Sequence, residues 1–158
     1  MRSGNPRIKA YRIADSRFPV FDGTGAALYG GRWSSPGRRV IYGSLSYATA
    51  MLELLVHAGI GTVPRHQVAV EFFVPDEVDI EEVVPEDVPG WDLSDQTTSR
   101  VYGDLWLCTR RTCALVVPSA VSRRDRNVLI SQDHPDFSRI TVSEPEPVVW
   151  NGRLFTRP

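Results

Sequence analysis

The sequence of 158 residues is short of the side chains that hold metals and cross-links. It has two cysteines, Cys108 and Cys113, and three histidines, His57, His66 and His134. Two cysteines are too few for a disulfide framework, and neither they nor the scattered histidines match a metal-ligand spacing, so no metal is expected. No apolar run approaches the ~18 residues of a membrane span, and the opening "MRSGNPRIKAYRI" lacks the apolar stretch of a secretory signal. The expectation is a cytoplasmic protein with no membrane association. A strong excess of either charge is missing too. The formal net charge is −1, which gives no global electrostatic case for direct nucleic-acid binding. There is no internal repeat and no low-complexity tract. "GTGAALYGG", residues 23–31, matches neither G-x-x-x-x-G-K-[ST] nor G-x-G-x-x-G and does not link a strong strand to a helix. That argues against ATP or Rossmann-type nucleotide binding.

What is present suits one globular domain over residues 1–158 with its core at about 10–155: 42% of residues are hydrophobic and 23% charged. The charge is unevenly placed. Residues 1–40 carry Arg2, Arg7, Lys9, Arg12, Arg17, Arg32, Arg38 and Arg39 against Asp15 and Asp22, whereas residues 76–95 hold nine acids and no base. Two solvated faces would explain this, as would a basic cleft for an anionic small molecule with an acidic loop elsewhere.

Pattern reading gives short strands at "KAYRIAD", "RVIYGS", "HQVAVEFFV", "CALVVPS" and "RNVLISQ", with further strands at "EVDIEEV", "SRITVSEPEPVVW" and "GRLF". Residues 19–33 read as loop. "LSYATAMLELLVHAG" is a helix that Ser44 or Ser46 can cap and Gly59 ends. Its core face is predicted to be Leu45, Ala48, Leu52, Leu55 and Val56, leaving Ser46, Thr49, Ala50, Glu53 and His57 on another strip. A second helix starts near "SRVYGDLWL". Strands do not alternate regularly with helices, so the fold class is α+β with a mostly antiparallel, curved sheet.

Three residues stand out chemically. Arg32 follows Gly30-Gly31, a context that permits close backbone approach and suits bidentate recognition of phosphate or carboxylate. Glu53 lies mid-helix among Met51, Leu52, Leu54 and Leu55, where a buried carboxylate needs partners. Ser119 follows Pro118 at the end of an apolar strand; without a G-x-S-x-G context or an evident base, it reads as a hydrogen-bonding serine rather than a nucleophile. Tyr42, at the end of the strand before the glutamate helix, can place a ring near that helix.

Taken in order, "YRIAD", "GGRWSSPGRRVIYGSLSYATAMLELLVH", "GDLWL" and "LVVPSAVSRRDRNVLISQDHPDF" resemble the RES-domain toxins of bacterial toxin–antitoxin modules, over about residues 10–155. The arginine, glutamate and serine that name the domain map onto Arg32 in "GGRW", Glu53 in "AMLELL" and Ser119 in "VPS". Two positions depart from the family pattern: Ser131-Gln132 stands where Asn-Pro is usual, and Asn151-Gly152-Arg153 lacks an aspartate often found before the late arginine. The resemblance implies a fold similar to ADP-ribosyltransferase toxins and NAD+ as substrate, consumed by hydrolysis, by phosphorolysis or by ADP-ribosyl transfer to a protein such as phosphoribosyl pyrophosphate synthetase. It also implies an Xre-like helix-turn-helix antitoxin as partner. On this reading Glu53 stabilises the developing oxocarbenium charge, and Arg32 with Arg12 holds the pyrophosphate. Tyr42 and Tyr29 pack on the nicotinamide or orient the ribose, and Ser119 and Asn127 supply hydrogen bonds. An endoribonuclease toxin and a non-catalytic partner-binding domain are the alternatives.

Overall fold

The structure, a computed structural model, describes residues 8–59 and 61–155; Arg2 and Arg7 of the basic stretch lie outside the described residues. The elements run β1 (Ile8–Asp15), α1 (Thr24–Tyr29), β2 (Val40–Ser44), α2 (Tyr47–Ala58), β3 (Gln67–Val74), β4 (Ile80–Glu82), α3 (Thr97–Thr109), β5 (Ala114–Pro118), β6 (Arg126–Ser131), β7 (Thr141–Val142) and β8 (Glu146–Pro147). They build an open α+β fold around one sheet in the order β4-β5-β6-β2-β1-β3-β7, with β8 also on β3. Among the described residues only β4–β5 is parallel; every other pairing is antiparallel.

The central strands are apolar on both faces because the sheet is covered on both. Along β5, Ala114 and Val116 enter one core cluster, with Phe72, Ile41 and Ile130, while Leu115 and Val117 enter another, with Trp33, Trp106 and Leu129. This is the period-two alternation of a strand buried on both sides, and it explains why "ALVVP" carries no polar residue.

The sheet is not continuous in its pairing. β1 and β3 are matched over eight residue pairs and β2 and β6 over five, but β1 and β2 meet at one, Tyr11 opposite Ser44. The sheet therefore splays between β1 and β2. A side chain spans the gap: Arg12, on β1, donates from Nη1 to the Tyr42 carbonyl on β2 at 2.9 Å and from Nε to the Val20 carbonyl at 2.6 Å.

Four sequence expectations are corrected. The stretch 19–33 is not all loop, since Thr24–Tyr29 forms a short helix. The C-terminal "SRITVSEPEPVVW" is not one strand but the two-residue β7 and β8, each on β3; Pro145 and Pro147 lack the N–H that a longer ladder requires. "GRLF" is a 3-10 turn at Gly152–Leu154, with the Asn151 side chain accepting from the Arg153 N–H. The core face of α2 is reversed: Thr49 and Ala50 are its buried residues, whereas Leu52 is 44% and Val56 60% exposed. Ser46, not Ser44, caps this helix by accepting from the Thr49 N–H. Among the described residues, no helix is long and apolar enough to cross a membrane.

α3 locks the loop between α1 and β2 in place. Ser99 Oγ donates to the Arg32 carbonyl at 2.6 Å, Arg100 Nε to the Gly31 carbonyl at 2.9 Å, and Asp104 accepts from both the N–H and the hydroxyl of Ser35. Contact this close requires Gly103, where a Cβ would overlap the Trp33 carbonyl oxygen. A glycine inside a helix ordinarily costs about 1 kcal/mol relative to alanine, so Gly103→Ala should stabilise if propensity decides. Overlap with backbone reverses the sign. We expect a loss at or above the ~1–3 kcal/mol typical of overpacking, read by urea denaturation; a variant as stable as the parent would refute the close packing.

Candidate active site

Glu53 ends the second turn of α2 and shares the cavity lining with Val56, one turn on. Its Oε1 accepts two hydrogen bonds, from Asn127 Nδ2 at 2.7 Å and from Ser119 Oγ at 2.9 Å. Each donor is itself fixed. Asn127 Oδ1 accepts from Ser44 Oγ at 2.7 Å, and Ser44 and Asn127 are register partners across β2 and β6. An amide whose oxygen is taken by Ser44 must turn its NH2 toward the carboxylate. Ser119, fully buried, accepts from the N–H groups of Val121 and Ser122, so its one proton goes to Glu53. Among the described residues Oε2 has no hydrogen-bond partner, and Glu53 lines a cavity of about 600 Å³. One carboxylate oxygen is thus pinned from behind while the other is left to the cavity.

A second acid steadies the support. Asp125, in the β5–β6 turn, accepts from Ser122 Oγ at 2.6 Å and Thr49 Oγ1 at 2.8 Å, tying α2 to the turn that carries Ser119. These two hydroxyls, Ser122 first, hold the Asp125 carboxyl below its ordinary pKa. The polar strip of α2 faces inward because Thr49 must reach Asp125 and Glu53 must reach Asn127.

The cavity lies where β1 and β2 part, lined by Tyr11 and Arg12 on one side and Tyr42 and Ser44 on the other. Its cationic side chains include Arg12, Arg32 and Arg100. Arg17, Arg39, Arg111, Arg123, Arg126 and Arg139 each pair with a carboxylate, whereas none of the three cavity arginines does among the described residues. Arg32 donates from Nη1 to the carbonyls of Trp91 and Leu93, at 3.2 and 3.0 Å. The acidic segment is therefore not remote from the cleft; it meets Arg32 through its backbone, and Arg123 holds its Asp92 at 2.6 Å.

Gly30 and Gly31 are explained by their neighbours. Gly30 has φ +72°, and a Cβ on Gly31 would lie 2.5 Å from the Tyr42 hydroxyl. That hydroxyl is hydrogen-bonded to Ser34 Oγ at 2.7 Å and accepts from the Trp33 N–H, and burial pushes its pKa up to about 12. Tyr42 therefore serves the cavity as a neutral ring, with its polar end turned into the loop.

Of the residues singled out from sequence, Arg12, Arg32, Tyr42, Glu53 and Asn127 line the cavity, and Ser119 stands behind Glu53 outside the lining. Tyr29 is not among the lining residues and is 80% exposed, at the end of α1. Ser44 and Arg100 were missed as site residues. The Ser44 pairing with Asn127 is legible only once the β2–β6 register is known, and Arg100 sits in a polar first turn of α3 with no local mark. Among the described residues, no group of three or more His, Cys, Asp or Glu side chains could hold a metal ion.

Comparison with known proteins places the chain in a family. The profile of the RES domain matches residues 9–151. The chain belongs to the RES domain family. Its curated relatives include the Prs ADP-ribosylating toxin of Sphingobium sp. (strain YBL2), 35% identical over 141 residues covering 85% of this chain and 86% of the relative. Another, Toxin Res of Pseudomonas putida (strain KT2440), is 33% identical over 142 residues covering 89% and 96%. Among solved structures, the MbcT–MbcA toxin–antitoxin complex of M. tuberculosis has a chain that superposes with a TM-score of 0.74 at 16% identity, covering 88% of this chain and 82% of that chain. This likeness is one of fold.

The Asp125 junction gives a pH test. Its folded pKa is depressed, so the carboxylate contributes stability above its unfolded pKa of about 4, and the contribution is lost as pH falls through the folded value. Asp125→Asn should lower Tm by a constant amount from about pH 5 upward, with the difference from wild type shrinking below about pH 4. A difference independent of pH would mean that the charge does not matter there.

Proposed function

We propose that this RES domain is the toxin of a toxin–antitoxin pair and that it cleaves the nicotinamide–ribose bond of NAD+. The observation that carries this reading is the placement of Glu53: a carboxylate with one oxygen pinned by Asn127 and Ser119, the other free for a cavity whose arginines have no carboxylate partner. The family membership and the relative named for ADP-ribosylation support it.

The chemistry asks little of the protein. As the bond between ribose C1′ and nicotinamide nitrogen breaks, its electron pair goes to the nitrogen, neutralising the pyridinium, so the leaving group needs no proton. Positive charge grows on the ribose, and a fixed carboxylate stabilises it most where the surroundings exclude water. Glu53 takes that role. Arg32 faces the diphosphate, and Tyr42 offers its ring to the nicotinamide or the ribose. An acceptor oxygen, from water, phosphate or a protein side chain, bonds to C1′, and any proton it carries passes to solvent. Ser119 is a positioning residue, because its hydroxyl is committed to Glu53 and to two backbone N–H groups.

The partner would be an antitoxin that covers this cleft. The exposed Leu52 and Val56 support a partner surface here, since Val56 also lines the cavity and makes the apolar stripe of α2 continuous with its mouth.

The test is nicotinamide release from NAD+ by the purified protein in buffer, with phosphate, and with a bacterial lysate and labelled NAD+. Release in buffer identifies a glycohydrolase, release that needs phosphate a phosphorylase, and label on a protein band a transferase. No release in any arm overturns the reading. Glu53→Gln should lower the rate at least ~100-fold with an unchanged Tm, whereas an active Glu53→Gln variant would overturn the carboxylate role. Arg32→Lys, which cannot reproduce the planar fork, should weaken NAD+ use; unchanged kcat and KM would remove Arg32 from the site.

A further inference from the structure

Three guanidiniums line the cavity, but their donors are not equally free. Arg12 has every nitrogen engaged by a backbone carbonyl: Nε by Val20 at 2.6 Å, Nη1 by Tyr42 at 2.9 Å and Nη2 by Asp22 at 3.4 Å. Its position in the gap between β1 and β2 gives those bonds a structural purpose. Arg32 commits Nη1 to two carbonyls and has no partner on Nε or Nη2 among the described residues. Arg100 commits only Nε, to the Gly31 carbonyl at 2.9 Å. Both of its terminal nitrogens, with four N–H groups, have no hydrogen-bond partner among the described residues, and no carboxylate pairs with it.

A diphosphate needs donors that can be given to it, and a planar guanidinium with both terminal nitrogens free can grip two oxygens at once. Both arginines are held from the same loop: Arg32 belongs to it, and Arg100 is aligned by the Gly31 carbonyl one residue away. We propose that Arg100, rather than Arg12, is the second guanidinium that binds the diphosphate of the dinucleotide, opposite Arg32, and that Arg12 is a strand staple that leaves the ligand alone. The assignment rests on the NAD+ reading above and adds to it a specificity residue: Arg100 makes the site prefer a substrate with a diphosphate over one with the nicotinamide riboside portion alone.

The experiment compares wild type with Arg100→Gln on two substrates, NAD+ and nicotinamide riboside, which carries the same scissile bond and no phosphate, and measures ADP-ribose binding by calorimetry. Loss of charge-assisted hydrogen bonds should raise the KM for NAD+ and the Kd for ADP-ribose by about 10- to 100-fold, while kcat/KM for nicotinamide riboside stays within about twofold. Arg100→Lys, which keeps the charge but not the fork, should fall between. Equal losses on both substrates would show that Arg100 acts only by holding the loop, and would overturn the proposal. So would an Arg100→Gln variant that binds ADP-ribose as wild type does. Arg12→Gln should lower Tm; if it remains as stable as wild type and loses ADP-ribose binding, the two arginines have been assigned the wrong way round. Wild type that binds ADP-ribose and cleaves neither substrate would instead count against the NAD+-cleavage reading and leave the arginine assignment standing on the calorimetry.

Discussion

The site depends on a sheet that is held open without coming apart. β1 and β2 are adjacent yet share one register pair, and the Tyr42 carbonyl of β2 is met instead by the Arg12 side chain of β1. Arg12 is suited to this because its fork reaches three carbonyls on two segments from one anchor. A buried cation is costly unless its donors are met; here burial pushes the Arg12 pKa below its ordinary value, with Asp22 opposing the shift. With two strands zipped together there would be no cleft between Tyr11 and Tyr42. With no bridge, the halves β4-β5-β6-β2 and β1-β3-β7 would be joined at their seam by one pair. The cavity is thus a managed defect in a sheet, and its two walls, β1 and β2, are each paired along their far side, with β3 and β6.

The same economy governs the acid. A carboxylate in a cavity can swing; two fixed donors on one oxygen of Glu53 hold it in one orientation. Asn127 and Ser119 come from β6 and from the end of β5, neighbours in the sheet, and the helix bearing Glu53 is tied to their connecting turn through Thr49 and Asp125. This accounts for the inverted face of α2. A helix docked by Leu52 and Val56 would bury more apolar surface but would draw Thr49 and Glu53 out of register with Asp125 and Asn127. The small residues Thr49 and Ala50 allow close approach, and the apolar stripe is left outside, where an uncovered surface of that kind commonly awaits a partner.

Much of the fold was legible because the central strands are both apolar and short. "VIYGS", "QVAVEFFV" and "RNVLIS" read as strands from β-branched content alone, and Ser46 and Gly59 bound α2 as their chemistry suggests. The misreadings have separate causes. Periodicity reports which residues share a face and not which face turns inward, so α2 was read with its apolar stripe in the core. The strand at "SRITVSEPEPVVW" failed because β-propensity was weighed without the missing donors of Pro145 and Pro147, and "GRLF" because Asn151 caps a turn there. In the site, the glycine pair, Arg32, Glu53 and Ser119 could be picked out by local context together with the family resemblance. Ser44 and Arg100 could not: each acquires meaning from a residue more than sixty positions away, through strand register in one case and helix-to-loop docking in the other.

The distribution of charge in the cleft bears on which end of a ligand goes where. Glu53 sits among neutral donors on the α2–β6 side, while Arg32 and Arg100 are fixed to the loop that α3 clamps, with the neutral ring of Tyr42 also lining the cavity. A cationic ring-ribose portion is favoured near the carboxylate and an anionic diphosphate near the guanidiniums, so a molecule carrying both is oriented by electrostatics before any base is read. The same separation keeps Glu53 from being neutralised by a permanent ion pair with an arginine, which would spend its charge in the resting state. Fixed, unpaired and opposite charges across a cleft are what a reaction requires when positive charge must develop at one end of a substrate that is held by its negative other end.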